Sequence, residues 1–232
     1  MSLTSRILNE AYASESKPAG LVGYILHRER GLWLPPQQGG MFDYLLTADG
    51  VYLHAKREEL EVSFPLLPGV SGVIRGLQPT MPVFDFELPL VPEGLIAELW
   101  AQAEDWANQG LETLFHLVWS PVYPWNNGWG LDTPEQERSA TRCKPLHDGP
   151  GSSHEKAIVE IHSHHLMPAR FSPTDDKDET GFRLYGVIGR LPEAPEIRLR
   201  VGVYGYFWEI PASWALELPE CLRDCNAEDW DG

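Results

Sequence analysis

Cysteine is scarce in this chain. Its three residues, Cys143, Cys221 and Cys225, do not make a disulfide framework. Cys221-Leu-Arg-Asp-Cys225 has the wrong spacing for a C-x-x-C redox or zinc pair. A reducing compartment, the cytoplasm, is the simplest expectation. Long apolar runs are missing too. None approaches the ~20 residues needed to cross a bilayer, and Met1 to Asn9 does not read as a signal peptide. Basic residues are few: 18 Lys and Arg stand against 34 Asp and Glu, a formal charge of -16. That field repels phosphate backbones and anionic lipid, so neither direct nucleic-acid binding nor membrane binding is expected. No internal repeat or low-complexity tract interrupts the chain.

Aromatic residues, by contrast, are plentiful, at 11% of 232 residues with nine Trp, and 43% of the chain is apolar. Such a chain is globular and long enough to bury a substantial core, as one large domain or two small ones.

The first ~90 residues read as β-rich without a chemical motif. Leu21 to His27 is a candidate strand, and Gly31 to Gln38 a loop. Tyr44 to Ala48 and Val51 to Ala55 flank Asp49-Gly50 as a tight hairpin. Glu59 to Phe64 suggests another strand, and the prolines and glycines from Leu66 to Pro92 suggest irregular connections or edge strands. His27 and His54 read as surface or strand histidines. A helix then opens at Pro92 and Glu93, repeats Leu95, Leu99, Ala103 and Trp106 at helical spacing, and ends at Gly110. Trp100 and Trp106 read as core. Leu111 to Trp119 is a buried strand with Glu112 at its start. Ser120 to Gly151, rich in Pro, Gly and Trp, reads as an irregular loop. Its Trp125-Asn-Asn-Gly-Trp-Gly130 run is either one wall of a peptide groove or a surface loop pinned by its tryptophans. Phe182 to Leu191 and Ile197 to Trp208 read as strands. Glu209 to Leu218 is a further strand or edge segment, and the acidic tail is frayed.

The chemistry concentrates in Val159 to Asp175, a strand running into a loop. Residues two apart on a strand face the same way, so His162 and His164 can share a metal ion. Asp175 lies far enough on to fold back as a third ligand. Two imidazoles and a carboxylate suit zinc, and three protein ligands leave a fourth position for water, as in catalytic sites. Glu160, on the same strand face, is a candidate to approach the metal or to hydrogen-bond a ligand imidazole. His147 and His154 have no spacing that joins them to the motif. Asp176 and Asp178 read as part of a solvated charge run.

His162-x-His164, seven residues, Ser172, two residues and Asp175 resembles the signature of JAMM (MPN-plus, Mov34-type) zinc metalloproteases at every defined position. One departure is His165, where those proteins usually have Pro. The wider string His162-Ser-His-His165 and Phe171-Ser-Pro-Thr-Asp-Asp-Lys-Asp-Glu179 more narrowly resembles the bacterial PRTRC system protein A family. The neighbouring genes of that family resemble ubiquitin-activating and ubiquitin-conjugating enzymes. The resemblance implies an α/β fold: a cytidine-deaminase-like mixed sheet with flanking helices, after a β-rich N-terminal region. It implies a region of unknown role over 1–90, a metalloprotease domain over 91–218 and a tail over 219–232. It also implies Glu112 as general base, with Glu160 the competitor, and Ser172 as the donor to the developing oxyanion. Zn2+ would be the cofactor and a ubiquitin-like modifier or peptide the substrate, cut at an amide or isopeptide bond after a C-terminal glycine. Two other readings compete: a JAMM-fold scaffold without turnover, and a DNA-associated protein of the RadC kind. The intact ligand set counts against the first, and the acidic charge against the second.

Overall fold

The computed structural model describes residues 20–28, 34–68 and 74–226. The expectations for Met1 to Asn9, for the start of the Gly31 to Gln38 loop and for the end of the acidic tail lie outside those residues. The chain divides into two compact units, Met1–Asp85 and Phe86–Gly232.

The first unit is a five-stranded sheet of β1 (Val22–Leu26), β2 (Phe42–Thr47), β3 (Gly50–Arg57), β4 (Leu60–Pro68) and β5 (Val83–Phe86), in that order. β1 runs parallel to β2, and the β2–β3 and β3–β4 pairs are antiparallel. Leu45, Leu53, Ala55, Val62 and Phe64 are buried in its core. The first hairpin turns one residue earlier than its Asp-Gly pair suggests. Thr47 pairs with Gly50 across Ala48-Asp49, and the Thr47 hydroxyl bonds Asp49 Oδ1 at 2.6 Å. His27 and His54 are not on the surface. Both are buried, and His54 Nε2 lies 3.0 Å from Glu61 Oε1.

The second unit opens with α1 (Glu93–Ala107). Its buried stripe is Leu95, Ile96, Leu99 and Ala103. Trp100 and Trp106 are only half-buried rather than core residues, and the Arg138 guanidinium lies 4.0 Å from the Trp106 ring centre. Pro92 sits just before the helix in extended backbone. The helix ends where the Gly110 N–H donates to the Ala107 carbonyl at 2.9 Å.

A seven-stranded mixed sheet follows: β6 (Leu114–Trp119), β7 (Trp129–Asp132), β10 (Ala157–Ser163), β11 (Phe182–Gly189), β12 (Glu196–Val203), β13 (Tyr206–Ile210) and β14 (Arg223–Asp224). The order is β13-β12-β11-β10-β6-β7, with β14 beside β12. A small hairpin of β8 (Gln136–Arg138) and β9 (Cys143–Pro145) stands apart. With β7, it gives regular structure to a stretch expected to be irregular. Ile197 to Trp208 is not one strand, because Tyr204-Gly205 turns it back into β13. Both residues have positive φ, 50° and 91°, which a tight hairpin of this hand requires and which Gly supplies at little cost.

β10 lies at the heart of this sheet, antiparallel to β6 and parallel to β11. Strand alternation divides the sheet by chemistry. Phe115, Leu117, Val159, Ile161, Leu184, Ile188, Leu199 and Val201 fall on one face and are fully buried. The other face carries His116, Glu160, His162, Arg183, Tyr185 and Arg200, because register pairs Glu160 with His116 and with Tyr185, and Tyr185 with Arg200. The expected α/β architecture, a mixed sheet after a β-rich region, is the one the chain forms, with α1 its only long helix among the described residues.

Candidate active site

The site lies where β10 ends. Backbone bonds hold the end of the strand from both sides. Ser163 N–H donates to Thr113 C=O at 2.9 Å, and His164 N–H to Ile188 C=O at 2.8 Å. The Thr113 N–H donates to Ser163 Oγ at 3.0 Å. These contacts carry the β6–β10 register past the named strands and set Glu112 opposite His164, on the His162 face.

His162 and His164 are both buried, and their Nε2 atoms lie 3.1 Å apart. Asp175, in the short helix α3 (Asp175–Asp178), brings Oδ1 to 3.6 Å from His162 Nε2. The three donor atoms lie within 4.8 Å of one another. Tetrahedral zinc with ~2.0–2.1 Å bonds to nitrogen or oxygen sets its donors ~3.3 Å apart, so the trio needs little adjustment to hold the ion. The tautomer also fits. His164 Nδ1 lies 3.3 Å from the Pro168 carbonyl, which can only accept, so Nδ1 carries the hydrogen and Nε2 presents a lone pair. Burial pushes the His162 imidazole down to about 4 and His164 downward as well. Both are then neutral at pH 7, the state that metal binding needs.

Ser172 meets the site through Asp175. Its N–H donates to Asp175 Oδ2 at 2.6 Å, and its Oγ accepts the Thr174 and Asp175 N–H groups at 3.3 Å. This reciprocal cap occupies one carboxylate oxygen and leaves the other for His162.

Glu112 is 3% exposed, and its Oε1 has no hydrogen-bond partner. Burial, and then the Asp175 charge, push its carboxyl up to about 7. With His162, Asp175, Cys143, His154 and Glu160 it lines a cavity of about 230 Å³. Ser172 is not among the cavity's lining residues.

Glu160 does not hydrogen-bond a ligand imidazole. Its Oε2 lies 3.0 Å from His154 Nδ1, 3.3 Å from His116 Nε2 and 3.5 Å from Arg183 Nη1. These partners hold its carboxyl well below the usual carboxylate range, against the effect of burial. Such a carboxylate is a poor base at neutral pH. Glu179, passed over in the sequence, stands nearer a ligand: its Oε1 is 4.0 Å from His162 Nδ1. Arg200 fixes it through Nε at 2.8 Å and Nη2 at 2.7 Å. That guanidinium is stacked between the Phe171 and Phe207 rings, 3.9 and 3.7 Å from their centres. No spacing along the chain joins His154, Glu179 or Arg200 to the motif.

The neighbouring loops qualify other expectations. His165 has φ 33°, which a proline ring cannot adopt, so the loop departs from the Pro-containing pattern there. Asp176 and Asp178 are half-exposed and paired, with Arg200 at 2.7 Å and Arg142 at 3.0 Å respectively. Trp129 is no groove wall. It is fully buried, and its Nε1 donates to Pro89 C=O at 2.9 Å, whereas Trp125 is exposed.

No curated protein matches the chain. Residues 94–201 match the family model Prok-JAB, prokaryotic homologs of the JAB domain. The matched stretch contains α1 after its first residue, Glu112, both histidines and Asp175. Together with the mixed α/β fold around the site, that match supports the JAB/MPN family for the unit that carries it.

Proposed function

We propose that this chain is a zinc-dependent metallopeptidase or isopeptidase of the JAMM type. It hydrolyses an amide or isopeptide bond after the C-terminal glycine of a ubiquitin-like modifier, in a bacterial PRTRC-type system that also supplies activating-like and conjugating-like proteins. The observation that carries the reading is one cavity lined by Glu112, His162 and Asp175, with the Glu112 carboxyl held near neutrality and its Oε1 unpartnered.

His162, His164 and Asp175 would hold the metal, with His164 oriented through the Pro168 carbonyl and Asp175 through the Ser172 turn. A zinc ion bound there supplies Lewis acidity toward a carbonyl oxygen and lowers the pKa of water from ~15.7 toward ~7. Glu112 is the general base. Its free Oε1 takes the proton from the attacking water and later delivers it to the leaving amine. A group poised near the working pH can do both. Ser172 is proposed as donor to the developing oxyanion, beside its role in orienting Asp175. The small cavity suits an extended tail ending in glycine, which brings no side chain to accommodate.

The test is cleavage of a fusion carrying a glycine-tailed modifier encoded beside this protein. Wild type should cleave it and stop on chelation. Glu112→Gln should fold and keep its metal, yet lose ~10²–10⁴-fold in turnover, the usual contribution of acid–base catalysis. Undiminished turnover in that variant refutes the base assignment. Wild type that cleaves no such fusion, and binds its partner indifferently to chelation, is a scaffold instead.

A further inference from the structure

A second cluster of metal-ligating side chains lies on the same sheet face. Its members come from three elements. His116 is on β6, Glu160 is opposite it on β10, and His154 is in the short helix α2 (Ser153–Lys156) that leads into β10. One donor atom from each falls within 4.8 Å of the others. Glu160 Oε2 lies 3.0 Å from His154 Nδ1 and 3.3 Å from His116 Nε2, close to the ~3.3 Å that donors around tetrahedral zinc adopt.

A hydrogen-bonded Glu–His pair accounts for His154 but not for His116. That ring is fully buried, and its Nε2 has no hydrogen-bond partner, although Glu160 Oε2 is near. The contact is close but misdirected. Nδ1 of the same ring lies 2.8 Å from Ser153 Oγ, a partner of the kind that fixes a ligand imidazole from behind. When Nδ1 donates to that oxygen, Nε2 is left with an unsatisfied lone pair beside the carboxylate, an arrangement that a cation held between them resolves. Buried polar atoms left this way are costly. Two imidazoles and one carboxylate are zinc-class donors. His154 and Glu160 line the cavity that Glu112 and His162 also line, so a solvent path reaches the cluster.

We infer that His116, His154 and Glu160 form a second site for a divalent transition-metal ion of the zinc class, distinct in its ligands from His162, His164 and Asp175. Arg183 sets its strength. Nη1 of that residue lies 3.5 Å from Glu160 Oε2 and donates to the His154 carbonyl at 2.6 Å. A cation so close competes for the carboxylate, so this site binds metal more weakly than one without a neighbouring guanidinium.

The experiment uses the full chain, stripped of metal and titrated with Co2+, with bound metal per chain and visible absorption recorded together. Wild type should take up two equivalents. His154→Ala, at a partly exposed position, should take up one, and so should His116→Gln. His162→Ala/His164→Ala should also lose one equivalent, and it should be the tighter one. Two equivalents undisturbed by His154→Ala overturn the second site. So does a single wild-type equivalent that only the His162/His164 substitutions remove. A single equivalent removed by His154→Ala and kept by the His162/His164 variant upholds this site and overturns the first. Circular dichroism shows whether the buried His116→Gln variant folds. If it does not, His154→Ala decides.

Discussion

Glu112 shows how one residue can oppose the fold it belongs to. Unfolded, its carboxyl ionises near the ordinary 4.5. Folded, burial and the Asp175 charge push it up to about 7. Between those values the folded chain keeps a proton that the unfolded chain has lost, so Glu112 makes stability fall as pH rises through that window. In metal-free protein, Glu112→Gln has nothing to ionise there. Its melting temperature should therefore gain on wild type between pH 4.5 and 7, with little difference below. A difference that stays flat across the window would show that Glu112 is not held in this way. Such a cost at a cavity-lining position is expected where function sets the residue.

At the scale of elements, two short connections carry the ligands. The turn at Ser172 orients Asp175, and Ser172→Ala removes an acceptor for two amides while keeping the N–H that holds Oδ2. Loss of the cap should cost ~1 kcal/mol of stability and weaken metal affinity ~10–100-fold. If Ser172 also donates to the oxyanion, turnover at saturating zinc should stay down ~10²–10³-fold. Full recovery with excess zinc would leave Ser172 as a cap alone. The second connection is the loop after His164, which runs against β11. A Cβ at Gly189 would meet the Met167 carbonyl and the amide of Ala169, both backbone atoms that cannot swing aside. Gly189→Ala should therefore shift the loop whose Pro168 carbonyl holds His164. The expected cost is ~1–3 kcal/mol of overpacking, read by denaturant unfolding, together with weaker metal retention.

Across the whole molecule, charge is the plainest property. At -16 the chain should give no shift of duplex DNA at physiological salt. Salt-sensitive micromolar binding would reopen a DNA-associated role. Among the described residues, no helix is long and apolar enough to cross a membrane. Hairpins, strands and the helix from Glu93 to Ala107 were legible because alternation and helical spacing are local. Two of the boundaries missed are set by single turns. Thr47 to Gly50 closes a residue early, and Tyr204-Gly205 cuts an apolar run that reads as one strand.

What the sequence determined by itself was the one-face pairing of His162 with His164, the return of a carboxylate at Asp175, and a strand close behind Glu112, although it begins at Leu114 and not at Leu111. Each follows from periodicity or from spacing along a short stretch of chain. Tertiary structure alone decided which groups surround them. Register across β6, β10, β11 and β12 puts His116, Tyr185 and Arg200 on the face that carries His162 and Glu160. It gives Glu160 to Arg183, and brings Glu179 toward His162. Those neighbours are far apart along the chain. Strand pairing, which no local pattern encodes, makes them adjacent.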